Sequence, residues 1–119
     1  MSNVKFNYFY RDGANYKSWG EVVFANPENL ALDEIDKTLV DAFLPDKLFV
    51  ASQISIPEKF LFMDGKFTKN DHCYHEFDCV EVCKEDSTDS AERSISDFLR
   101  NAEAAAKQGW EAFDILDKT

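Results

Sequence analysis

The sequence predicts a single-domain α+β fold, and three observations predict it. Two stretches alternate apolar and polar residues in tandem around an Asp-Gly turn. Two others carry apolar residues at helical spacing. Hairpins and helices interleave without the regular strand–helix repeat of a parallel sheet. The element order is β-β-α-β-(β)-β-α over residues 1–119. The expected architecture is an antiparallel sheet with both helices packed on one face.

Residues 4–11, VKFNYFYR, place Val4, Phe6, Tyr8 and Tyr10 on one face and Lys5, Asn7 and Arg11 on the other, with Phe9 as the exception. The next stretch, DGANYKS (12–18), is turn chemistry, because Gly accepts positive φ and Asp bonds to its own backbone. WGEVVFA (19–25) then returns as the second strand of a hairpin with a longer loop. Asn26-Pro27 ends it. From 32 to 44, Leu32, Ile35, Leu39, Val40, Phe43 and Leu44 recur at helical spacing. Asp33, Glu34 and Asp36 favour the start of that helix through its dipole, and Pro45 closes it.

Residues 47–56, KLFVASQISI, read as a third strand with a bend, and 57–63 as a short optional one. DGKFTKND (64–71) is a loop, and YHEFDCVEVC (74–83) a long strand. KEDSTDSAE (84–92) is polar. Asp89 and Glu92 resemble a capping box that opens a second helix over about 90–108, with Ile95, Phe98, Leu99, Ala102 and Ala106 inward and Gly109 at its end. Residues 110–116 fit either a short strand or a helical turn.

Composition excludes several functions. The net charge is −10, and it is lopsided: residues 1–70 hold eight Lys/Arg against ten Asp/Glu, and residues 71–119 hold five against thirteen. Such a surface repels phosphate, so neither nucleic acid nor an anionic membrane is an expected partner. A basic protein partner or a role as an acidic decoy fits it, and so does a charge that simply keeps the chain in solution. No stretch has the ~18 apolar residues of a membrane span, and MSNVKFNYFYRDG lacks a secretory h-region. The three cysteines therefore read as reduced thiols of a cytoplasmic protein.

Two places carry candidate chemistry. DHCYHEF (71–77) holds both histidines, His72 and His75, beside Cys73 and Glu76. Zinc needs about four converging donors at roughly 2.0–2.3 Å. A strand through 73–83 would put Cys73, His75, Cys79 and Cys83 on one face, with Cys73 and Cys79 roughly 20 Å apart. His72 and His75 would face opposite ways. The expectation is a loop-to-strand junction with no metal and no cofactor. The alternative is a small metal-dependent enzyme using His72, His75, Cys73 and Glu76. Glu76 and Asp78 are the types that bind magnesium, but no lysine follows at nuclease spacing. Cysteine–histidine catalysis lacks an oxyanion hole, and no catalytic residue is assigned.

The second place is the first hairpin loop. Arg11, Asp12, Asn15, Tyr16, Lys17 and Trp19 gather there, rich in the residue types that dominate binding hot spots. Plain turn chemistry, with Tyr16 and Trp19 covering the sheet edge, accounts for the same residues. The expected role is a non-catalytic binding or regulatory module acting through protein contacts. FNYFYRDGANYKSWGEVVFANPENL and DHCYHEF also resemble segments of a family of small uncharacterised bacterial proteins, over residues 6–77. That resemblance implies a bacterial cytoplasmic origin and no particular activity.

Overall fold

The computed structural model describes residues 2–11, 17–59 and 74–111. Its elements are strand β1 (Asn3–Arg11), strand β2 (Lys17–Phe24), helix α1 (Leu32–Ala42), a two-residue strand β3 (Leu48–Phe49), strand β4 (His75–Cys83) and helix α2 (Ile95–Gln108). The four strands form one antiparallel sheet in the order β2-β1-β4-β3, and the fold is α+β.

The alternation read in β1 becomes the floor of the core. Val4, Phe6 and Tyr8 are buried in the core shared with the helices, and Tyr10 is buried against His75. Phe6 is central: its ring stacks on Phe77 at 5.2 Å and meets Phe98 edge-on at 5.0 Å. Phe24 stacks on Phe98 of α2, and Phe43, the residue that ends α1, stacks on Phe49. Ile35, Leu39 and Ala42 from α1 and Ile95, Phe98, Leu99, Ala102 and Ala105 from α2 complete the core.

Helix α1 begins without a side-chain cap, with Asp33 and Glu34 in its first turn. It ends at Ala42, two residues sooner than the apolar spacing suggests. Leu44, held extended by the proline that follows it, cannot continue the helix.

The stretch 47–56 is corrected. Only Leu48 and Phe49 are strand, pairing with Glu76 and His75. Ala51–Ile54 instead forms a 3-10 turn, closed by Ser55 at φ 55°. Its buried residues, Val50, Ala51 and Ile54, follow helical spacing, so a turn buries them where a strand could not. Of the optional strand at 57–63, residues 57–59 are not strand and the rest lie outside the described residues.

Strand β4 carries a second correction. Asn7 pairs with Cys79 but Tyr8 pairs with Phe77, so Asp78 is an extra residue and the face alternation reverses there. His75 and Phe77 point into the core, whereas Cys79 joins Asn7 on the solvent face. The one-face grouping of His75 with Cys79 and Cys83 therefore fails. Cys79 and Cys83 are free thiols, burial raises the pKa of Cys79 with the Asp78 carboxylate adding to it, and Cys73 lies outside the described residues.

Helix α2 starts at Ile95, not 90. Its capping box is Ser94 with Asp97: Asp97 N–H donates to Ser94 Oγ at 3.2 Å and Ser94 N–H donates to Asp97 Oδ2 at 3.4 Å. Residues 88–94 are occupied elsewhere. Thr88 binds the edge of β2, and Glu92 adopts a left-handed conformation incompatible with a first helical turn. Asp89, the expected cap, serves Arg93. Its carboxylate accepts from Arg93 N, Nε and Nη2, each at 2.9 Å. Arg93 also donates to Ile54 O, Ser55 O and Asn101 Oδ1, so one guanidinium ties the segment before α2 to the 3-10 turn and to α2 itself. After α2, Gly109 ends the helix at φ 104°, and Trp110 Nε1 donates to Ala42 O at 2.9 Å. Residues 112–116 lie outside the described residues. No described helix is long and apolar enough to cross a membrane.

Candidate functional site

The solvent face of the β1–β2 hairpin carries the densest group of recognition side chains. Its geometry follows from register. Phe9 pairs with Trp19 and Arg11 with Lys17, so these four side chains share the face opposite the core. This explains why Phe9 breaks the pattern of β1. It is buried not under the helices but against Trp19, with ring centroids 4.7 Å apart. Lys17 Nζ lies 5.2 Å from the Phe9 ring and 5.6 Å from the Trp19 ring, and the Arg11 guanidinium lies 5.4 Å from Phe9. Trp19 remains 55% exposed in spite of these contacts. An exposed indole fixed between a buried ring and a cation is already ordered, so a partner covering it loses little side-chain freedom.

Arg11 reaches across to β4, where its Nε lies 3.3 Å from Glu76 Oε1. The pairing of β1 with β4 brings Glu76 to this contact. Further along the same face Lys5 sits between Glu21 at 3.2 Å and Glu85 at 2.8 Å, and these carboxylates hold its pKa well above the usual lysine range. Of the hairpin residues picked out by sequence, the structure brings Arg11, Lys17 and Trp19 together; Asp12, Asn15 and Tyr16 lie outside the described residues.

The histidine segment behaves differently. His75 is fully buried, with its ring 5.4 Å from that of Tyr10 and 6.0 Å from that of Tyr8. Its Nε2 accepts the Lys59 main-chain N–H at 2.8 Å, so that lone pair is engaged by the backbone. Nearby, Tyr8 donates to Pro57 O at 2.6 Å, and burial pushes its phenol far above its ordinary pKa. Both bonds tie residues 57–59 to the sheet. Among the described residues no three His, Cys, Asp or Glu side chains converge to hold a metal ion. Glu76 faces away from His75 and pairs with Arg11. His72 and Cys73 lie outside the described residues.

A cleft of about 660 Å³ runs between α1 and α2, lined by Thr38, Asp41, Ala42, Arg100, Glu103 and Lys107 among others. It is wide open and holds no nucleophile–base pair. Comparison with protein-family models, curated proteins and solved structures finds no match.

Proposed function

We propose that this chain is a non-catalytic binding module that acts through protein contacts at the solvent face of the β1–β2 hairpin. The observation that carries the reading is Trp19, more than half exposed yet held against Phe9 beneath Lys17. Large aromatic side chains flanked by cations are the residues whose truncation most often costs binding energy. The net charge of −10 favours approach of a basic protein at long range, and the indole then supplies the short-range contact. The resemblance of residues 6–77 to small bacterial proteins belongs to the same proposal, and with it a bacterial cytoplasmic setting. The reading of a metal-dependent enzyme centred on His72 and His75 loses support because the Nε2 of His75 is committed to Lys59 inside the core.

Affinity capture from the native host with the wild-type chain and Trp19→Ala, followed by mass spectrometry, tests the proposal. A protein retained by the wild type and lost from a folded Trp19→Ala chain is the expected outcome. Identical retained sets would refute it.

A further inference from the structure

Strand β2 is an edge strand of the sheet. In an antiparallel pair, successive residues direct their N–H and C=O groups alternately toward the partner strand and away from it. The β1–β2 register runs unbroken from Val4 opposite Phe24 to Arg11 opposite Lys17, so one residue sets the alternation for all. Val23 faces outward: its carbonyl accepts from Thr88 N–H and its N–H donates to Thr88 Oγ1, both at 2.9 Å. The Ala25 carbonyl, also outward, accepts from Ile95 N–H at 2.7 Å. Lys17, Trp19 and Glu21 share that alternation. No main-chain bond from a described residue reaches their outward groups, and all three are exposed. Among the described residues, the edge is thus covered at its Val23–Ala25 end and open along 17–21.

We propose that this open stretch pairs, antiparallel, with the same stretch of a second copy about a two-fold axis at Trp19. The inference rests on the reading of this face as a binding surface and goes beyond it: the occupant here is a second copy of this chain, not the basic protein proposed above. Charge complementarity within β2 favours a second copy. With Trp19 opposite Trp19 of the second copy, Lys17 stands opposite Glu21 of the second copy, and the symmetry repeats the pair. Opposite charges directly across a ladder attract and like charges repel. The register is also selected sterically. Sliding the pairing so that Lys17 meets Val23 would require an edge that Thr88 already fills. In the centred register each of the three outward pairs exchanges two N–H···O bonds. A two-fold normal to the sheet keeps both helical layers on one side and joins two four-stranded halves into a continuous sheet.

The contact is small beside a stable interface of roughly 1,200–2,000 Å², so the dimer is weak, with Kd on the order of 10–100 µM. Lys on an edge strand is equally a device that prevents pairing, and a guard of that kind predicts a monomer at every concentration. Sedimentation equilibrium of the full chain up to roughly 1 mM, about tenfold above the upper end of that Kd range, separates the two.

The expected result is reversible dimerisation. Lys17→Glu and Glu21→Lys alone each weaken it about tenfold or more, because symmetry makes every substitution act twice. The doubly swapped chain, and an equimolar mixture of the two single variants, each restore it, with melting temperatures showing every variant folded. A wild type that stays monomeric overturns the proposal, as does a dimer indifferent to the single charge reversals. A monomeric wild type whose captured protein is nonetheless lost on Trp19→Ala would overturn self-pairing alone and leave the binding surface standing.

Discussion

Replacing Asp89 by Ala should cost the fold about 3 kcal/mol. The Asp89 carboxylate is 2% exposed and the Arg93 side chain 10%, so both charges are largely out of water. Removing one partner of a buried pair costs about 3–5 kcal/mol, chiefly because the other charge is left uncompensated. Here the lower end applies. Arg93 keeps Ile54 O at 2.7 Å, Asn101 Oδ1 at 2.8 Å and Ser55 O at 3.1 Å, and the Phe24 and Phe98 rings lie within 5.6 Å of its guanidinium. For a domain of this size that loss lowers the melting temperature by about 10 °C. The pH dependence has a definite sign. Hydrogen bonds from Arg93 hold the Asp89 carboxyl below its ordinary pKa. Its contribution is therefore complete above the unfolded value of about 4 and disappears as pH falls through the lower folded value. Chemical denaturation of wild type and Asp89→Ala at pH 7, 4 and 2.5 should show a gap that shrinks with acid. A difference under 0.5 kcal/mol at pH 7, or one unchanged at pH 2.5, would refute the reasoning.

Three further outcomes are expected. In Gly20→Ala the new Cβ would stand 2.8 Å from Tyr8 Cζ, and Tyr8 cannot yield because it is buried and its hydroxyl is bonded to Pro57, so a loss of about 1–2 kcal/mol in urea unfolding is expected, where an unstrained site would gain stability. Raising ionic strength from low to moderate should increase the melting temperature, since residues 71–119 hold thirteen acids against five bases; a fall would mean that pairs such as Lys5 with Glu21 and Glu85 outweigh the repulsion. Untagged protein dialysed after stoichiometric zinc should retain well below one zinc per chain by elemental analysis, and near one, lost in His75→Ala, would revive the enzyme reading.

What was legible in the sequence was whatever depends on local periodicity. The β1 alternation, the Ile35 and Leu39 positions of the α1 stripe and the glycine at the end of α2 involve neighbours in the chain, and the structure keeps them, whereas Val40 of the same stripe is exposed. The Asp78 bulge, the turn at Ala51–Ile54 and the late start of α2 involve distant segments. Asp78 is extra only in relation to β1, and residues 88–94 stay out of α2 because β2 and Arg93 engage them. The candidate site divides the same way. Arg11, Lys17 and Trp19 were visible as residue types, but their grouping with Phe9 and Glu76 required the hairpin register and the β1–β4 pairing. Nothing in the sequence pattern marks Arg93 as a cross-tie or separates the open from the covered part of the β2 edge.

The central claim, that the hairpin's solvent face is the binding surface, is tested most directly by peptide-resolved amide hydrogen exchange on the chain alone and with its captured partner. The account predicts slowed exchange across Lys17–Glu21, with the α1–α2 cleft unchanged. Slowed exchange confined to Thr38–Ala42 and Arg100–Lys107, with the hairpin unaffected, would contradict it.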